Sequence, residues 1–109
     1  LEGVGAEMNA YTAKEKTCIY ASFSDEYFNR ALELLTDITF FSIFPEKEIL
    51  KEKKVIHEEI DMYDDNPEEF VIDKIQELIF PNHPLGWNIL GTHQSLDKLS
   101  KDDLLNFTD

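Results

Sequence analysis

The sequence predicts an α+β fold in which an antiparallel sheet is packed by helices. Three observations carry that expectation: two adjacent β-rich runs near the start, apolar residues at helical spacing after them, and capping residues that open the later helices. The two runs are residues 5–12 (GAEMNAYT) and 17–23 (TCIYASF), separated by the polar Ala13-Lys14-Glu15-Lys16, which is a hairpin pattern. Ser24 then stands as a helix cap ahead of Asp25 and Glu26. Phe28, Ala31, Leu35, Ile38 and Phe41 follow at helical spacing and form a stripe that should pack on the sheet.

Pro45 suits the first turn of a second helix reaching about Tyr63. Asn66-Pro67-Glu68-Glu69 supplies an N-cap, a first-turn proline and a capping-box glutamate for a third helix, ending near Pro81. A loop over residues 81–91 follows. Ser100 with Asp103 three positions on resembles a further capping box, and the helix it opens is cut off at Asp109. No repeat, low-complexity tract or Gly/Ser linker interrupts the series, so residues 1–109 read as part of a single domain, truncated at both ends. Such a piece is expected to need cover for its open sheet edges and helix faces.

The formal charge of -13 repels phosphate backbones and anionic membranes, so neither nucleic acid nor a membrane is an expected partner. Cys18 stands alone in a strand pattern, which leaves no internal disulfide or cysteine-based zinc site and favours a small packed side chain over a nucleophile. No apolar run reaches the length of a membrane span, and residues 1–8 lack the basic start and apolar stretch of a signal peptide. The compartment stays open.

The second helix holds the most informative pattern. Lys47, Lys51, Lys54, Glu58, Asp61 and Asp65 step by four and three along a solvated face, with Lys54 and Glu58 spaced to pair. Glu52 and Glu59, seven residues apart, project one above the other on the stripe that also holds Ile49, Val55, Ile56, Met62 and Tyr63, and so are expected to face the core. A carboxylate among aliphatic groups needs a cation, a metal or a hydrogen-bonding partner. On the residues alone an internal salt bridge or a partly exposed helix edge accounts for this better than a functional site does.

Other motifs lead nowhere. His57-Glu58 begins an H-E-x-x-H pattern, but Asp61 stands where its second histidine belongs. Asp61, Asp64 and Asp65 break the spacing of a calcium loop, and Gly3-Val4-Gly5 lacks the third glycine of a dinucleotide fingerprint. His83 and His93, without metal-like partners at helical spacing, read as loop residues.

Several segments together resemble a known family. Gly5-Ala6-Glu7-Met8-Asn9-Ala10-Tyr11-Thr12 with Lys14-Glu15-Lys16-Thr17, then residues 52–60 (EKKVIHEEI), Asp65-Asn66-Pro67, His83-Pro84-Leu85-Gly86 and Ile89-Leu90-Gly91-Thr92 are similar, in order, to signatures of the inverzincin zinc metallopeptidases (family M16). This is the family of pitrilysin, insulinase and the mitochondrial processing peptidase. The resemblance implies an interior fragment of the zinc-binding domain. In the family an H-x-x-E-H helix supplies two zinc-binding histidines and a general-base glutamate, and a later helix supplies a third ligand. The matching position is Glu59, with Glu58 on the outer face. Glu52 matches a second acid that supports catalysis by orienting the metal ligands. Asn9, Ala10 and Tyr11 match the edge strand whose backbone pairs with an extended substrate. Ordinary sheet, with Asn9 fixing a local turn or bulge, is nearly as good an account of that side chain.

What the resemblance implies is a zinc metalloendopeptidase acting on peptides or unfolded proteins, working with the rest of its own domain and a second domain or subunit of the same kind. The alternative is a non-catalytic family member serving as a structural or substrate-binding subunit; a third reading is an unrelated acidic interaction domain. No H-x-x-E-H occurs within these residues, and family spacing places it roughly 20 residues before Leu1. Zinc is therefore expected only together with histidines outside this chain, which by itself should not hydrolyse peptides.

Overall fold

The structure, a computed structural model, describes Gly3 and residues 5–108. The Gly3-Val4-Gly5 comparison at Val4, the start of the leader comparison at Leu1 and Glu2, and the last helix at Asp109 lie outside the described residues. The chain divides into two compact units, Leu1–Ile43 and Phe44–Phe107.

In the first unit, strand β1 (Glu7–Thr12) pairs antiparallel with β2 (Thr17–Ser22). The register is unbroken from Glu7 opposite Ser22 to Thr12 opposite Thr17. Gly5 at φ 72° holds a left-handed backbone that strands do not use, which delays the start of β1 beyond the expected position. The Ala13 amide donates to the Lys16 carbonyl at 2.7 Å and closes the turn. Tyr11 and Tyr20, diagonal neighbours across the pair, place their rings 6.4 Å apart.

Helix α1 (Phe28–Phe40) follows a single 3-10 turn over Asp25–Tyr27. The Ser24 side chain makes no cap bond, contrary to expectation. Its carbonyl instead accepts the Tyr27 amide at 2.9 Å, so the 3-10 turn opens the helix. Ala31 is completely buried, Leu35 and Ile38 are half-buried, and α1 packs on β2 as the stripe predicts. The ends of the stripe, Phe28 and Phe41, are exposed.

The second unit is helical. Pro45 sits as the residue before α2 (Glu46–Asp64), one position ahead of the expected first turn. Helix α3 (Pro67–Ile79) has Pro67 in its first turn and Asn66 as cap, the Asn66 Oδ1 accepting the Glu68 amide at 3.2 Å. The Tyr63 hydroxyl of α2 donates to the Asp73 carboxylate of α3. Residues 81–91 form the expected loop, enclosing a 3-10 turn at Pro84–Gly86 whose cap is His83 Nδ1, accepting from Leu85 N at 3.2 Å.

A short helix that the sequence reading missed, α4 (His93–Lys98), comes next. Thr92 Oγ1 accepts the Ser95 amide at 3.1 Å and Ser95 Oγ accepts the Thr92 amide at 2.9 Å, a reciprocal box. His93 is therefore the first residue of a helix, not a loop residue. Helix α5 (Lys101–Thr108) opens on the expected Ser100 and Asp103 box, the Ser100 amide donating to Asp103 Oδ2 at 2.8 Å and the Asp103 amide to Ser100 Oγ at 3.2 Å. Ile60 of α2 and Leu96 of α4, each 5% exposed, are the buried apolar side chains described in this unit.

Candidate functional site

Helix α2 carries the carboxylates on which the sequence reading rests. Its charged row is solvated as expected, although the ion pair that forms there is Glu48 with Lys51 at 2.8 Å rather than Lys54 with Glu58. The packed face is narrower than the stripe predicts: Ile49 and Ile56 are half-buried and Ile60 is buried, but Val55 is 46% and Met62 73% exposed. Glu52 and Glu59 lie on that open flank and are themselves exposed, which corrects the expectation that they face the core. The packed side of α2 is that of Ile49, Ile56 and Ile60, which leaves Val55 and Met62 at the surface of this unit. Among those residues no hydrogen bond or ion pair engages either carboxylate, so the internal salt bridge is absent too. Glu52 also lines a largely apolar groove of about 380 Å³ shared with Ile49, Ile56, Leu96 and Leu99.

Away from that flank, α4 grips α2 through a row of polar contacts. The rings of His57 and His93 lie within 14° of parallel with centroids 4.8 Å apart, and their Nδ1 atoms approach to 2.5 Å. His57 Nε2–H donates to Asp97 Oδ1 at 2.9 Å, and His93 Nε2–H donates to Asp61 Oδ1 at 3.0 Å. Lys53 Nζ donates to the carbonyls of Asp97 at 3.0 Å and Leu99 at 2.6 Å, satisfying acceptors that the end of α4 leaves open. In the sequence His57 reads only as half of a failed H-E-x-x-H motif. The signal that would have pointed here is Thr92-x-x-Ser95 directly after Gly91, a helix start that brings His93 and Asp97 onto one face.

In the first unit, every residue of β1 is exposed. The closing bond between Ala13 and Lys16 sets the alternation of the ladder, so the amides of Met8, Ala10 and Thr12 face the open edge. One of these is already occupied: Asn9 Oδ1 accepts the Ala10 amide at 2.8 Å. The unbroken register shows that Asn9 marks no bulge. Asn9, Ala10 and Tyr11 thus stand together on an edge strand of the first unit, and Glu52 and Glu59 share one helix flank of the second.

Zinc takes oxygen donors from carboxylates, and Glu59, exposed and unengaged, is such a donor. A single carboxylate does not make a metal site, and among the described residues no group of three or more His, Cys, Asp or Glu side chains is arranged to hold a metal. No described helix is long and apolar enough to cross a membrane.

The family model described as insulinase (peptidase family M16) matches residues 1–93. The chain belongs to peptidase family M16. This M16 chain is 44% identical over 104 residues to the uncharacterized zinc protease YmxG of Bacillus subtilis (strain 168), covering 95% of the chain and 25% of that protein. It is 40% identical over 107 residues to an uncharacterized zinc protease of Rickettsia bellii (strain RML369-C), with 98% of the chain and 26% of the relative covered. Against a probable mitochondrial-processing peptidase subunit beta of Arabidopsis thaliana the identity is 36% over 107 residues, with 98% and 20% covered. The M16 chain thus spans about a quarter or less of the length of these relatives.

Proposed function

We propose that this M16 chain is the part of a zinc-dependent metalloendopeptidase that supplies the acidic zinc ligand, Glu59, and the strand that holds the substrate. The observation that carries the reading is that Glu52 and Glu59 share one exposed flank of α2 with no protein partner among the described residues. A carboxylate without a cation or donor of its own is available to one that arrives. Two histidines outside this chain complete the ligand set, and residues 1–109 belong with them to one zinc-peptidase domain that works beside a second domain or subunit of the same kind. When bound, zinc supplies a Lewis acid that activates water for attack on a peptide carbonyl.

The remaining work falls to the chain's own residues. Glu52, two helical turns before Glu59 on the same flank, orients the ligand set by accepting hydrogen bonds from it. The outward amides and carbonyls of Met8, Ala10 and Thr12 pair with an extended peptide as an added strand, with Asn9, Ala10 and Tyr11 lining that edge. Main-chain pairing of this kind reads shape more than side chains, which suits peptides and unfolded proteins as substrates.

The test is Glu59→Gln in the full-length polypeptide, measuring bound zinc by elemental analysis and turnover of a fluorogenic peptide. Both should fall sharply while the circular dichroism spectrum stays that of the parent. Unchanged zinc content and turnover would sink the assignment and leave a non-catalytic subunit as the better account.

A further inference from the structure

We infer that α4 is a positioning clamp for the proposed zinc ligand: Lys53, His57 and Asp61 of α2, held by His93, Asp97 and the Leu99 carbonyl, fix the rotation of α2 about its axis and so aim Glu52 and Glu59. The inference rests on the reading of Glu59 as a ligand and adds residues that touch neither metal nor substrate. Lys53, His57 and Asp61 step by four, so they climb one side of α2 in a row that drifts about 40° per step. Along that row the partners run backwards, from Leu99 and Asp97 at Lys53, through Asp97 and His93 at His57, to His93 at Asp61. The two helices are thus joined in antiparallel register at three successive levels.

The middle of the row lies well around α2 from the carboxylates, with Glu59 about 160° and Glu52 about 140° from His57, while Glu52 also borders the groove lined by Lys53, Leu96 and Leu99. Apolar contact is a poor means of setting a helix's roll, because it has no direction and tolerates small sliding. In this unit it is also sparse, with Ile60 and Leu96 the buried apolar side chains described. Hydrogen bonds at three levels do have direction. A carboxylate held roughly 6 Å from the axis moves about 1 Å for a roll of about 10°, and a displacement of that size at a reacting centre is enough to cost about a hundredfold in rate. Residues that orient a metal ligand act over this range, typically tenfold to about a hundredfold in affinity.

The experiment uses the full-length polypeptide. His93→Ala, which removes the ring that bridges His57 and Asp61, should weaken zinc binding by about tenfold in a chelator competition assay and lower kcat with little change in KM. Asp97→Ala, at an exposed position, should do the same to a smaller extent, and Asp97→Asn, which keeps the oxygen that accepts from His57, should restore the parent values. Zinc affinity and kcat within twofold of the parent for both His93→Ala and Asp97→Ala would overturn the clamp, as would a lowered melting temperature with zinc affinity unchanged. Glu59→Gln measured in the same assay separates the two ideas: if it leaves zinc affinity intact, the ligand reading fails, whereas loss of zinc in Glu59→Gln alone removes the clamp and keeps the ligand.

Discussion

The Tyr63 hydroxyl and the Asp73 carboxylate join α2 to α3 in a hydrogen bond that spans the Asp65-Asn66 turn. Burial and the Asp73 carboxylate beside it push the phenol up to about 12 from its ordinary value of 10.0. Tyr63→Phe should cost about 1.5–3 kcal/mol, the range for a hydrogen bond to a charged group. A raised value means that the bond contributes fully below about pH 10 and is lost as pH rises through about 12. The deficit of Tyr63→Phe in urea unfolding should therefore shrink between those limits; a deficit that is constant with pH would contradict the assignment.

Gly86 is buried in the 3-10 turn that follows α3. A Cβ there would press on the Phe80 carbonyl oxygen and come within 3.3 Å of the Glu77 Cα, both fixed parts of the backbone. Gly86→Ala should destabilise the protein by about 1–3 kcal/mol, the usual cost of overpacking, read as a lowered melting temperature.

The Ser100 hydroxyl and amide hold the Asp103 carboxyl below its ordinary value of 3.8. A lowered value gives a contribution that is present above that pH and disappears as pH falls through the folded-state value. The protection of the α5 amides, as exchange relative to the intrinsic rate at each pH, should fall in acid for the parent. In Ser100→Ala it should already be low at neutral pH and respond little to acid.

Glu52→Gln should separate orientation from ligation. If Glu52 orients the ligand set, bound zinc stays near the parent level and kcat falls by about tenfold to a hundredfold. Complete loss of zinc would make Glu52 a ligand in its own right, and unchanged kcat would leave it a surface residue.

What was legible in the sequence was mostly local. The turn between the two strands, the Asn66-Pro67 start of α3 and the Ser100 and Asp103 box depend on residues within three positions of one another; all three are present, although β1 starts at Glu7 rather than Gly5 and Asn66 caps α3 through Glu68 without a Glu69 box bond. The start of α4 was equally local but used serine where the familiar box has glutamate or glutamine, and its six residues hold a single apolar position, Leu96, too few to show a period. His57 was misjudged because its partner His93 is 36 positions away, a separation over which sequence spacing is silent. For Glu52 and Glu59, helical spacing gave their shared flank correctly and their burial wrongly. A stripe records which residues face alike, not how far a neighbour covers them: Ile49 and Ile56 are half-buried, whereas Val55 and Met62 at its edge are exposed.

At the open edge of β1, the Asn9 side chain stands where a neighbouring strand would place its carbonyl, against the Ala10 amide. An incoming strand gains nothing at that one position, since it exchanges an existing hydrogen bond for another. Only a segment long enough to reach the Met8 and Thr12 amides as well comes out ahead. The edge therefore imposes a minimum length on whatever adheres to it, and it discourages chance sticking between copies of the chain, which unguarded edge strands invite.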